Sequence, residues 1–214
     1  SGPDAMKALL VSLWMALAQS TPPFPRVRYD RAITIFAPDG SLLQVDYATA
    51  VAQRGGLAVG SIGDGYVVLA APQPDDSGSG LSLRDKVMQL DEHVWMAMAG
   101  LRADGRVLGD RARQECQEYR LANGEAPTVR HVAAFVASLQ HGFTRTGGAR
   151  PFGVECLVAG IDPNGTPRLF KTGPSGALGE WWAVAVGAQA TKALELLAQK
   201  MESSGQARAG SGEG

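Results

Sequence analysis

The sequence predicts an α+β fold, an αββα four-layer sandwich of two antiparallel sheets flanked by helices. Three observations lead there. The elements run strands, two helices, strands, helix, an order that argues against alternating βαβ units and for antiparallel sheets covered by helices. Many strand positions are apolar on both parities, so both faces of each sheet are expected to be covered. At 214 residues, 45% hydrophobic and 19% charged, the chain can bury one sizeable core.

Each element has its own signal. Residues 20–28, STPPFPRVR, hold three prolines and read as an extended linker, so the folded part is expected to start near Tyr29. Ser41 with Gln44 three residues later has the form of a capping box, and Leu43, Tyr47, Ala50 and Val51 recur at helical spacing; a short helix is expected over about 41–53. LAVGSI and YVVLAA flank Gly63, Asp64 and Gly65, a hairpin whose Asp-Gly supplies positive φ angles. A Gly, Ser, Asp and Pro cluster over 72–80 reads as a solvated loop, followed by a strand pair at 86–90 and 93–99.

Residues 102–121 lack proline and read as a helix despite Gly105 and Gly109. Val129, Val132, Ala133, Val136, Leu139 and Phe143 trace one face of a second helix. Strand signals return in VECLVAGI, break at DPNG, resume in TPRLFKT, break at GPSG and continue towards WWAVAVG. A last helix is expected over about 188–201, with Ala190, Ala193, Leu194, Leu197 and Met201 on one side.

Composition narrows the function. A formal net charge of −1 with no long run of one sign lacks the footprint of a nucleic-acid binder. Cys116 and Cys156 lie far apart within apolar-periodic segments, which suggests two buried reduced thiols. His93, His131 and His141 have no metal-ligand spacing, so no zinc site and no cofactor are implied. There is no GxSxG, P-loop or dinucleotide fingerprint, and GSIGDG fits a hairpin turn. The N-terminal MKALLVSLWMALAQS fits a short secretory signal, an amphiphilic arm or a leader alike, and its apolar run is too short to span a bilayer.

Several blocks carry a resemblance: YDRAITIFAPDGSLLQVDYA (29–48), KVMQLDEHVWMAMAGLRADGRVL (86–108), RARQECQEYRL (111–121), GGARPFGVECLVAGID (147–162) and RLFKTGPSGALGEWWAVAVG (168–187). Together they resemble the alpha-type subunits of the 20S proteasome over nearly all of Tyr29 to Met201. RARQECQEYRL, the Thr-Val opening of the following helix and NGTPRLF look most like the fourth alpha type of the eukaryotic ring.

The resemblance implies an N-terminal-nucleophile hydrolase-like sandwich that is not itself a protease. It implies a wall and gate component of a threonine-protease complex, cytoplasmic and nuclear, partnered by other alpha and beta subunits and by activators. Neither nucleic acid nor membrane is implied. Tyr29, Asp30, Pro38 and Tyr47 match the cluster that holds the open gate. Lys86, Gly100 and Leu101 match the pocket between subunits that receives activator C-termini, where a lysine beside a glycine backbone can pair with a terminal carboxylate.

Against the related catalytic beta subunits, the first core strand starts from Arg54, Gly55, Gly56 and Leu57, with neither hydroxyl nor thiol to act as nucleophile. The place of their acid falls near Ala71, and only their lysine has an equivalent, Lys86. The expected organisation is an arm and linker over 1–28, an alpha-type domain over 29–202 and a flexible tail over 203–214. The arm is unusually long and apolar, and the domain is expected to lack the last helix and strands of the family. Two other functions compete with the ring subunit: an active N-terminal-nucleophile hydrolase, which the missing nucleophile disfavours, and a truncated or secreted paralogue outside the ring.

Overall fold

The computed structural model describes residues 32–72 and 86–203. The linker at 20–28, most of the loop at 72–80 and the tail beyond 203 lie outside the described residues. The elements are α1 (Leu43–Arg54), β1 (Ala58–Ile62), β2 (Val67–Ala70), β3 (Val87–Asp91), β4 (Val94–Gly100), α2 (Arg102–Asn123), α3 (Val129–Arg145), β5 (Val154–Ile161), β6 (Pro167–Thr172), β7 (Leu178–Glu180), β8 (Ala183–Val186) and α4 (Ala190–Ser203).

Every strand pairing is antiparallel. One sheet has the order β2-β1-β8 and the other β3-β4-β5-β6-β7. The α+β sandwich read from the sequence is therefore the fold observed.

The layers follow from side-chain alternation along single strands. In β4, Met96 and Met98 point to α2 and α3, while Ala97 and Ala99 point to the other sheet. In β5, Val154, Cys156 and Val158 join the helix-facing core, and Leu157 and Ala159 join the layer between the sheets. Seven of its eight residues are buried, as expected of a strand covered on both faces. Methionines and valines dominate the helix–sheet layer, while the layer between the sheets mixes Ala58, Ala97, Ala99 and Ala159 with Leu157, Leu169, Val184 and Val186. Helix α2 comes close to its sheet because Gly105 and Gly109 leave room for the sulfurs of Met98 and Met88.

Four local expectations are corrected. The capping box does not form: Ser41 donates through its amide (3.0 Å) and hydroxyl (2.8 Å) to Asp39 Oδ1, and Leu42 caps α1 without a side-chain bond. Asp39 wins because an aspartate two residues before an amide closes its own local turn. In the β1–β2 turn only Gly65 takes a positive φ, +76°, and Asp64 does not.

The buried face of α3 adds Ala137, Gln140 and Thr144 and leaves Phe143 at 39% exposure. Gln140 is buried because its Nε2 donates to the Val154 carbonyl at 2.9 Å. The run towards WWAVAVG is two strands on different sheets. Trp181 N–H donates to Leu169 O of β6 at 2.9 Å, whereas Trp182 O accepts from Ile62 N–H of β1 at 2.8 Å. The chain changes sheets between the two tryptophans.

Both thiols are free and buried, and burial is the leading cause that pushes Cys116 up to about 11 and Cys156 up to about 12. The histidines sit in structural contacts: His93 Nε2 lies 2.7 Å from Pro127 O, His131 Nε2 2.8 Å from Glu115 and His141 Nδ1 3.2 Å from Ser175 O. No described helix is long and apolar enough to cross a membrane.

Candidate functional site

At one end of the sandwich, α1 runs into β1, β3 begins, and β4 turns into α2. These junctions meet through glycine. A Cβ on Gly55 would strike the backbone of Gly100, and one on Gly100 would strike the Gly153 carbonyl. One on Gly187 would meet the carbonyl oxygens of Gly55 and Gly56 at 2.8 and 2.7 Å. Gly100 also has φ +122°, a conformation that side chains rarely adopt, and it turns β4 into α2. Two hydrogen bonds fasten the junction: Leu101 N–H to Gly153 O at 2.9 Å and Ala188 N–H to Gly55 O at 2.7 Å.

Lys86 enters this junction from the start of β3, where its carbonyl accepts from Met98 N–H of β4 at 3.0 Å. Its ammonium lies over Gly56, in the space that a side chain there would need. Burial, and then the positive field of Arg102, hold Lys86 below the ordinary lysine pKa. It remains part-exposed at the surface.

Three residues after Leu101, Asp104 in the first turn of α2 is 7% exposed. It accepts two bonds from Arg150, at 2.6 and 2.7 Å, and one from Gly153 N–H at 2.9 Å. Burial works to raise this carboxyl, but the bonds from Arg150 and Gly153 outweigh it and leave the pKa lowered. The clamp ties α2 to the segment leading into β5.

The structure thus brings Lys86, Gly100 and Leu101 together. Gly153 sits in contact with Leu101 and with Val51 of α1, and both of those side chains are also open to solvent. Tyr47, 50% exposed, precedes Val51 by one helical turn on the same face. Pro38 is exposed in the turn closed by Gly40 N–H to Ala37 O at 2.8 Å. Tyr29 and Asp30 lie outside the described residues. Sequence reasoning missed Arg102 and the Asp104–Arg150 clamp. The signal for Arg102 was a cation at the first position of a helix, where the macrodipole disfavours one.

Comparison with known proteins agrees with this architecture. Residues 52–208 match the proteasome subunit family, and residues 29–50 match the N-terminal signature of its A-type members. The alpha type-7 proteasome subunit of Dictyostelium discoideum is 42% identical over 172 residues, 79% of this chain and 68% of that protein. Alpha type-7 of Cicer arietinum is 44% identical over 186 residues, 84% and 73% respectively. Alpha type-8 of Mus musculus is 44% identical over 175 residues, 79% and 68%. Two antiparallel sheets flanked by helices and both family matches lead to one conclusion: the chain belongs to the proteasome alpha-type family, the non-catalytic ring subunits of the 20S core.

Proposed function

We propose that this chain takes the place of the fourth alpha type in the ring of a threonine-protease complex, in the cytoplasm and nucleus. There it contributes to the wall, to the gate and to activator docking. The observation that carries the reading is the Lys86 ammonium lying over Gly56. The position that would need a hydroxyl or thiol for catalysis has no side chain, and the lysine above it is open to an incoming carboxylate. Gly100 and Leu101 form the neighbouring wall of that pocket. Tyr29, Asp30 and Pro38, on the chain that leads into α1, and Tyr47, within α1, act at the gate.

The test has two arms. The purified chain is expected to show neither peptidase turnover nor labelling by a threonine-directed covalent probe; turnover that survives removal of all partners would overturn the non-catalytic assignment. In the assembled particle, Lys86→Ala is expected to weaken activators with docking C-terminal tails by about 1.5 to 3 kcal/mol, the scale of a charged hydrogen bond, with basal peptidase activity unchanged. Unaltered activator affinity would remove Lys86 from the docking site.

A further inference from the structure

Beyond Lys86, the same end of the molecule carries a second cation. We propose that Lys86 and Arg102 form a two-cation seat for a polypeptide C-terminus whose last residue is itself acidic, with Arg102 selecting for the second carboxylate. This rests on the docking reading above and adds to it the chemistry of the partner.

The two residues are placed by the backbone. Lys86 O is bonded to Met98 N–H, and four residues beyond Met98 the chain has passed Gly100 and Leu101 and reached Arg102, the first residue of α2. The cations therefore flank the Gly100–Leu101 wall. Among the described residues neither makes an ion pair or a side-chain hydrogen bond. The one acid in the first turn of α2, Asp104, is committed to Arg150 and Gly153.

Arg102 also stands where a positive charge is unfavourable, at the positive end of the α2 dipole, and Leu101 caps that helix without a side-chain bond. Two cations and a helix start in one place repel one another until an anion arrives. A single carboxylate answers one of them. A terminal Asp or Glu brings two carboxylates, one for each cation, and the exposed Leu101 and Val51 offer apolar contact to the residue before it. That apolar wall favours a peptide end over a small inorganic anion.

The experiment uses the full chain in the assembly it forms in its own cells. Three otherwise identical heptapeptides bearing a photo-cross-linker are titrated: one ending in glutamate, one ending in glutamine, and the glutamate peptide with its terminal carboxyl amidated. Labelling of this chain is read by mass spectrometry. The glutamate peptide is expected to reach half-saturation at about three- to fivefold lower concentration than the glutamine peptide, the scale of one exposed ion pair. Arg102→Gln, an exposed position, is expected to erase that preference while the amidated peptide stays the weakest.

A glutamate preference that is absent, or that persists in Arg102→Gln, overturns the two-cation seat while leaving carboxylate docking intact. Equal labelling by the free and amidated peptides, with no change in Lys86→Ala, overturns the docking reading itself.

Discussion

The two helix layers of the sandwich look alike in sequence and differ in substance. Helices α2 and α3 lie on a five-stranded floor, and Leu108, Ala112, Cys116, Val129, Val132, Ala133 and Val136 are fully buried there. Helix α4 lies on β8 and β1 of the three-stranded sheet, and none of residues 190–200 is buried. Its inward side chains Ala190, Ala193 and Leu197 are half-buried; Leu194 and Leu196 are 37% and 60% exposed. An amphipathic pattern thus announces which side of a helix faces inward, but what packs around the helix decides how much is buried: α2 and α3 cover each other as well as their sheet, whereas α4 packs mainly on β8 and β1. Since apolar burial supplies most of a helix's tertiary stability, the two layers are expected to hold very differently.

The largest expected effect is in the five-stranded half. Leu108→Ala removes a fully buried side chain and should cost about 2 to 5 kcal/mol in denaturant unfolding. A cost below about 1 kcal/mol would mean that this layer is not the core. Native-state hydrogen exchange tests the same contrast without mutation: amides of α4 are expected to open at least about thirtyfold more readily than those of β5, a gap of roughly 2 kcal/mol. Equal protection would show one cooperative unit and erase the difference between the layers.

A smaller effect is expected at the Asp104 clamp, which anchors α2 to the five-stranded half. Asp104→Asn should cost about 1.5 kcal/mol at neutral pH, moderated because the Arg150 guanidinium is open to solvent. Because the folded pKa is lowered, this contribution is fully present above the ordinary aspartate value of 3.8 and is lost as pH falls through the lower folded value. The variant should therefore lose less stability on acidification than the parent. Parallel acid limbs for the two proteins would show that the carboxylate contributes no such term.

The smallest effect belongs to the thin layer. Leu196→Ala should change stability by no more than about 0.5 kcal/mol, as for an exposed site without special contacts. A cost comparable to that of Leu108→Ala would dissolve the contrast altogether.

Periodicity made the fold legible wherever burial is one-sided and local. The alternation of Met and Ala in β4, the doubly apolar β5 and the i, i+4 face of α3 all state their environment directly. The exchange of sheets at Trp181–Trp182 was illegible, because it depends on which strand stands beside the chain and two strands of one period look like a single run. Gln140 was missed for a related reason: a polar residue becomes a core residue only when a distant carbonyl, here Val154, is there to receive it. At the candidate site the motif brought out Lys86, Gly100 and Leu101. Arg102 and Asp104 take their meaning from partners present or absent in space, which spacing does not reveal.

The glycine contacts at that site have a mechanical consequence. Where two elements touch through side chains, a displacement of one can be absorbed by a change of rotamer in the other. Gly55 and Gly56 lie backbone to backbone against Gly100 and Gly187, with no rotamer to take up slack. At Gly55 the entry to β1 therefore meets the Gly100–Leu101 wall without a side chain between them. The joint behaves like a dry bearing between the two sheets, and a methyl group added at Gly55 would act as grit in it.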